Sequence, residues 1–200
     1  MNPNFSKLLF NISIPHPKPA IGRLLVAEPF MHDENFRHSV ICLVDYEESG
    51  KAMGVVLNHR MNYTLDQLME DVEREDIEVY CGGPMSMDRL FFIHTLGDII
   101  PGARQIGENL YIGGDFEAMT DYVNSGYPLE GKIRFFVGYS GWSDHQLDDE
   151  LEANVWGVAL LSDAEEMLTG EDDSYWHRTV KGMGEAYRGW LFHPQNIHSN

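Results

Sequence analysis

The 200-residue chain is 43% hydrophobic and 12% aromatic, and a chain of this length buries about 70% of its unfolded surface without disulfide or metal staples. Such a composition excludes disorder as the main state. Its 14 Lys plus Arg against 32 Asp plus Glu leave a formal charge of −18, a field that repels polyphosphate, so direct nucleic-acid binding is not expected.

Residues 1–20 read as a leader. Phe5, Leu8, Leu9 and Ile12 recur at helical spacing, and Pro15, Pro17 and Pro19 stop that helix. Residues 21–200 read as one domain. It opens with apolar runs of strand length at 24–27, 40–44 and 53–57, the last two joined by a hairpin turn at 48–51; all three are expected in one sheet. Thr64 and Gln67 have capping-box spacing and predict a helix carrying Leu65, Leu68, Met69 and Val72. Strands follow at 77–81, 90–94 and 109–114. Asp115 is the expected N-cap of a helix running to Asn124.

Ile133 to Val137 reads as a buried strand, and Ser143 to Gln146 as a capping box opening a helix through Leu147 and Leu151. Strand character returns at 155–161. A third box, Ser162 to Glu165, precedes a terminal helix at 175–187 that Gly182 and Gly184 weaken. Strands in succession followed by interleaved helices favour an α+β fold with a mixed sheet over a doubly wound one. From Phe135 to His177 there are eleven carboxylates and no Lys or Arg, a density expected on solvated faces.

Chemistry is sparse by comparison. Cys42 sits in an apolar run and reads as buried, Cys81 precedes Gly82-Gly83-Pro84, and neither forms a CxxC pair. Two reduced thiols, together with the lack of any apolar run as long as a membrane span, lead to the expectation of a cytoplasmic protein without membrane association. Gly82-Gly83-Pro84 and Gly113-Gly114-Asp115 lack the lysine and spacing of phosphate loops. His32, Asp33, Glu34 and His38 lack a fixed ligand spacing. No cofactor and no metal are therefore expected.

The most informative stretch is Gly138-Tyr139-Ser140-Gly141-Trp142, between a strand and a capped helix. That context predicts a tight turn and suggests a nucleophile elbow with Ser140 as a small hydrolase's serine, served by Asp144, Asp148, His145, His177 or His193. Trp142, however, occupies the position where an elbow needs glycine. A structural turn with Trp142 covering the core is the stronger reading.

The run 135–142, continued by Gln146-Leu147, Glu150-Leu151 and Trp156, resembles the YqgE/AlgH family of bacterial proteins. In order, Gly22 to Pro29, Phe36 to Val40, Gly54 to Asn58, Gly82 to Pro84 and Phe91 to His94 are similar to its other segments, so the resemblance spans about Gly22 to Pro194. It departs at His145, where the family commonly has glycine. The resemblance implies a single α+β domain whose bent sheet forms a pseudo-barrel, without a known cofactor. Some members carry a transcriptional-regulator label, although this sequence has no helix-turn-helix with a basic recognition face.

Together these readings predict a non-enzymatic regulatory or adaptor protein that binds a protein partner or a small ligand near strand ends. Asn58, Gly82, Gly83, His94, Tyr139, Ser140, Trp142 and Ser143 are the candidate ligand-binding residues. A serine hydrolase using Ser140 and a regulator acting directly on DNA are the alternatives. Oligomeric state is not legible.

Overall fold

A computed structural model of the chain describes residues 16–161 and 163–192. The leader helix predicted around Phe5 to Ile12, the Ser162 box position and His193 lie outside the described residues. Among the described residues ten strands form one mixed sheet: β1 (Leu24–Ala27), β2 (Val40–Tyr46), β3 (Ala52–Val56), β4 (Arg60–Thr64), β5 (Glu78–Cys81), β6 (Met85–His94), β7 (Arg104–Gly107), β8 (Leu110–Ile112), β9 (Ile133–Trp142) and β10 (Trp156–Ala159). The main path runs β10-β1-β2-β3-β9-β6-β8-β7, with β5 beside β9 and β4 beyond β5. Pairing is antiparallel except for β5 with β9. The sheet curls into a half-barrel with helices packed around it, the α+β architecture the sequence implied.

Strands β1 and β2 are apolar at successive positions because both their faces are covered. Leu24, Val26, Val40 and Cys42 point into a cluster with Tyr175, Trp176 and Val180 of α4 (Asp172–Gly182). Leu25, Ala27, Ile41 and Leu43 point the other way, against Leu147 and Leu151 of α2 (Gln146–Glu152). A third cluster joins Phe92, Ile133 and Phe135 to Met119 and Val123 of α1 (Phe116–Asn124), whose N-cap Asp115 accepts the Ala118 N–H at 2.9 Å. Burial pushes the Cys42 thiol up to about 12, as expected of an inert core cysteine.

The chain departs from its sequence patterns in several places. The helix predicted from Thr64 shortens to one 3-10 turn, Leu65–Gln67. Glu70, Asp71 and Glu73 would crowd the negative C-terminal end of a longer helix. Glu171, Asp172 and Asp173 start α4 earlier than predicted, and Gly184, at φ 91°, separates it from a 3-10 segment, Glu185–Phe192. Asp163 takes the cap of the short helix α3 (Ala164–Met167), its Oδ1 accepting the Glu166 N–H at 2.7 Å.

The most consequential departure is that residues 138–142 are not a turn after β9 but its second half. One edge of β9 pairs with β6 along most of its length. The other pairs first with β5 (Val79↔Phe135 to Cys81↔Val137), then with β3 (Gly54↔Ser140 to Ala52↔Trp142). The sheet therefore forks at Gly138. There Gly82 donates its N–H to Val137 O at 2.8 Å, and its carbonyl accepts the Val56 N–H at 2.9 Å. A Cβ on Gly82 would overlap the Gly138 carbonyl, and one on Gly138, at φ 72°, would overlap the Gly83 carbonyl.

Gly82→Ala is expected to cost roughly 3 kcal/mol, because the blocking atoms are backbone and cannot rotate away. Gly126→Ala, at φ 80° with open space around the new Cβ, is expected to cost about 1 kcal/mol. Urea unfolding of the two variants checks the difference, and equal losses would refute the steric role of the junction.

Candidate functional site

The eight candidate residues fall into three groups. Gly82, Gly83 and Ser140 belong to the fork. Ser140 is 1% exposed, and its hydroxyl donates to Gly82 O at 3.1 Å. Gly83, at φ 145°, carries no Cβ because Ser140 Oγ and the Tyr139 backbone occupy that space. The serine therefore sits inside a strand, its proton committed to a backbone carbonyl that already accepts from Val56, and not at the apex of an exposed elbow. This geometry closes the sheet.

Asn58 and His94 are fully buried and separately satisfied. Asn58 Oδ1 accepts the Val40 N–H at 2.9 Å, and its Nδ2 donates to His38 O at 2.9 Å and Asp172 O at 3.0 Å. With Asp172 N–H donating to Asn58 O at 2.7 Å, the side chain tethers the start of α4 to the end of β3. His94 Nε2 donates to Gly113 O at 2.9 Å while Nδ1 accepts the Leu96 N–H at 3.1 Å, which fixes the neutral tautomer. Its ring lies 5.8 Å from that of Tyr111. Burial lowers the His94 pKa, with the bond to Gly113 acting in the opposite sense.

Tyr139, Trp142 and Ser143 do converge. With Asp45, Glu47, Lys51, Met53, Met85, Gly141 and Gln146 they line an open depression of about 500 Å³ across β2, β3, β9 and β6. Gly141 deepens its floor, since a Cβ there would stand 2.9 Å from Met85 Sδ. Met85 is 44% exposed. A register shift in β6 between Met85 and Leu90 brings this methionine opposite Tyr139.

One wall is rigid. Trp142 Nε1 and Trp156 Nε1 both donate to Glu150 Oε2, at 2.8 and 2.7 Å, and the indoles meet edge to face at 6.0 Å. Gln146 Nε2 donates to Glu150 Oε1 at 3.0 Å, and Gln146 Oε1 accepts from Ser143 N–H and Oγ–H at 3.1 Å each. Ser49 Oγ donates to Asp144 Oδ1 at 3.1 Å, stapling the hairpin turn to the start of α2. His145, at φ 62°, takes a left-handed conformation there that glycine adopts without strain.

A family model described as AlgH-like matches residues 24–188. The chain belongs to the AlgH-like family. A UPF0301 protein of Parabacteroides distasonis is 39% identical to it over 97% of this chain and 98% of the relative. One from Bacteroides fragilis is 38% identical over 96% and 97%. The AlgH-like fold is seen also in the AlgH protein of Pseudomonas aeruginosa, with TM-score 0.66 and 23% identity over 84% of this chain and 92% of that one. Protein DIP2367 of Corynebacterium diphtheriae gives TM-score 0.68 and 22% identity over 92% and 97%. No helix among the described residues is long and apolar enough to cross a membrane.

In this AlgH-like chain, the sequence reading missed Asp45, Glu47, Met53 and Met85. Their shared location arises from strand pairing between segments far apart in sequence. Glu150 was named only through the family resemblance; its position eight residues after Trp142 and six before Trp156 is a signal that, in retrospect, two indole donors and one acceptor could have suggested.

Burial holds His94 neutral, so its pKa in the folded protein lies below that of the unfolded chain. On acidification the unfolded state takes up the proton first. The contribution of His94 is thus complete above about pH 6.5 and is lost as the pH falls below it. His94→Gln, which does not titrate, is expected to flatten the fall in unfolding free energy between pH 7 and 5, measured by urea titration at each pH. Glu150→Ala orphans two indole N–H groups and is expected to cost about 3 kcal/mol by tryptophan-detected unfolding.

Proposed function

We propose that this protein is a regulatory or adaptor protein that docks a cationic, amphipathic peptide segment of a partner in the depression between β3 and β6. The carrying observation is the pairing of Met85 and Met53 with Asp45 and Glu47 around a floor left bare by Gly141. Thioethers are polarisable and rotate freely, so they fit apolar side chains of varied shape. Asp45 on the rim, within a chain of charge −18, favours lysine and arginine on the visiting segment and speeds its encounter, and Glu47 beside it already holds one cation, Lys51, at 3.4 Å.

A non-catalytic role is supported by how the motif residues are used. Ser140 bonds a carbonyl at the fork, and the Trp142 N–H is taken by Glu150. Tyr139 and Met85 remain to meet a ligand, and the stapled α2 wall is preorganised, which lowers the ordering cost of binding.

The test is fluorescence anisotropy with a labelled peptide of alternating leucine and lysine pairs and its glutamate counterpart. The basic peptide is expected to bind with micromolar affinity that weakens as salt rises, and Met85→Lys, which removes the thioether and adds a like charge, is expected to weaken it at least tenfold. Equal binding of both peptides, or indifference to Met85→Lys, would overturn the reading.

A further inference from the structure

The other end of β9 carries a different kind of site. Arg134 interrupts the apolar run from Ile133 to Val137 and is 6% exposed. Its Nη1 donates to Leu57 O at 2.8 Å, and its guanidinium carbon lies 4.2 Å from the centre of the Tyr80 ring. Among the described residues no carboxylate lies within 4.0 Å of it, whereas Arg60, Arg74 and Arg178 all have ion pairs. A guanidinium has five N–H donors, and burying a cation without a counter-ion is costly. Stacking on Tyr80 and one backbone acceptor offset part of that cost.

Arg134 lines a cavity of about 520 Å³, a volume typical of small-molecule sites. The same wall carries Tyr80, Glu78, Gly170 and Glu171. Tyr80 donates its hydroxyl to Glu78 Oε2 at 2.9 Å, and Arg60 Nη1 bridges Glu78 and Glu171 at 3.0 and 3.6 Å. Glu171 Oε2, the oxygen that faces Arg60 at 3.6 Å, is buried and makes no hydrogen bond. The cavity thus presents unused N–H donors from a cation and, across Tyr80, an unused acceptor from an anion. A simple anion would meet Arg134 but also the field of Glu78 and Glu171. A simple amine would meet the reverse.

The geometry points to a binding site for a small zwitterion of the amino-acid class, its carboxylate on Arg134 and its ammonium on Glu171. Planar donors suit a carboxylate, and each ligand charge satisfies a group that is otherwise left short of a partner. The acidic wall rejects ligands carrying only the carboxylate. The site is independent of the depression between β3 and β6, which shares no lining residue with it.

The experiment is amide NMR of the ¹⁵N-labelled protein titrated with the proteinogenic amino acids singly, with acetate and methylammonium as half-ligand controls. At least one amino acid is expected to shift the amides of β5, residues 133–135 and residues 170–172 with millimolar or tighter affinity, and each half-ligand to bind at least tenfold more weakly. Glu171→Gln, at a side chain 40% exposed, is expected to retain the fold and weaken the amino acid at least tenfold. Arg134→Lys tests the other half, and its spectrum reports whether it folds. Acetate binding as tightly as the amino acids, unaffected by Glu171→Gln, would overturn the zwitterion in favour of a plain anion site. So would a complete lack of shifts with every amino acid at 10 mM.

Discussion

Two donors converge on the carbonyl of Gly82, the Val56 N–H and the Ser140 hydroxyl, while the Gly82 N–H holds Val137 O. At this point β9 changes partner on one edge, from β5 to β3, and the sheet divides into its two halves. Three backbones approach more closely there than any Cβ allows, so Gly82, Gly83 and Gly138 are steric requirements. The β1-to-β3 half, packed by α2 and α4, and the β6-to-β8 half, where α1 packs on β6 and β9, meet through β9 at this junction.

The junction also organises the two cavities. Tyr139, Gly141 and Trp142 line one beyond the fork, and Ile133, Arg134 and Phe135 line the other before it. A single ten-residue strand thus reaches both, through side chains on either side of Gly138, where φ is 72°. The polar groups at the fork are satisfied internally. Those at the two ends are not all spoken for: Arg134 has no carboxylate within 4.0 Å among the described residues, and Glu171 Oε2, 3.6 Å from Arg60 Nη1, makes no hydrogen bond. The two cavities therefore sit at the ends of β9 and the architectural junction at its middle.

Much of the secondary structure was legible because local signals agreed with tertiary demand. The strands at 24–27, 40–46 and 52–56, and the α1 cap at Asp115, follow from apolar runs and a short polar side chain before a helix. The helix expected after Thr64 failed because its cap signal competes with a run of acidic residues at its far end. The turn expected at 138–142 failed for another reason. Glycines there serve close backbone approach within a strand, and one chain's glycines do not distinguish that use from a reversal of direction. Of the candidate residues, Tyr139, Trp142 and Ser143 share a depression, while Asn58, His94 and Ser140 are buried polar groups with complete hydrogen bonding.

The sequence by itself determined the family, the α+β class, the acidic field and the identity of the residues at the fork, since each is carried by residue type and short-range order. Tertiary structure alone decided that Gly82 and Ser140, 58 positions apart, meet on one carbonyl. It also decided that Met85 lies opposite Tyr139, and that Arg134 opens into a cavity shared with Glu171. These contacts depend on register between strands distant in the chain. A displacement of one residue in that register moves every side chain to the opposite face.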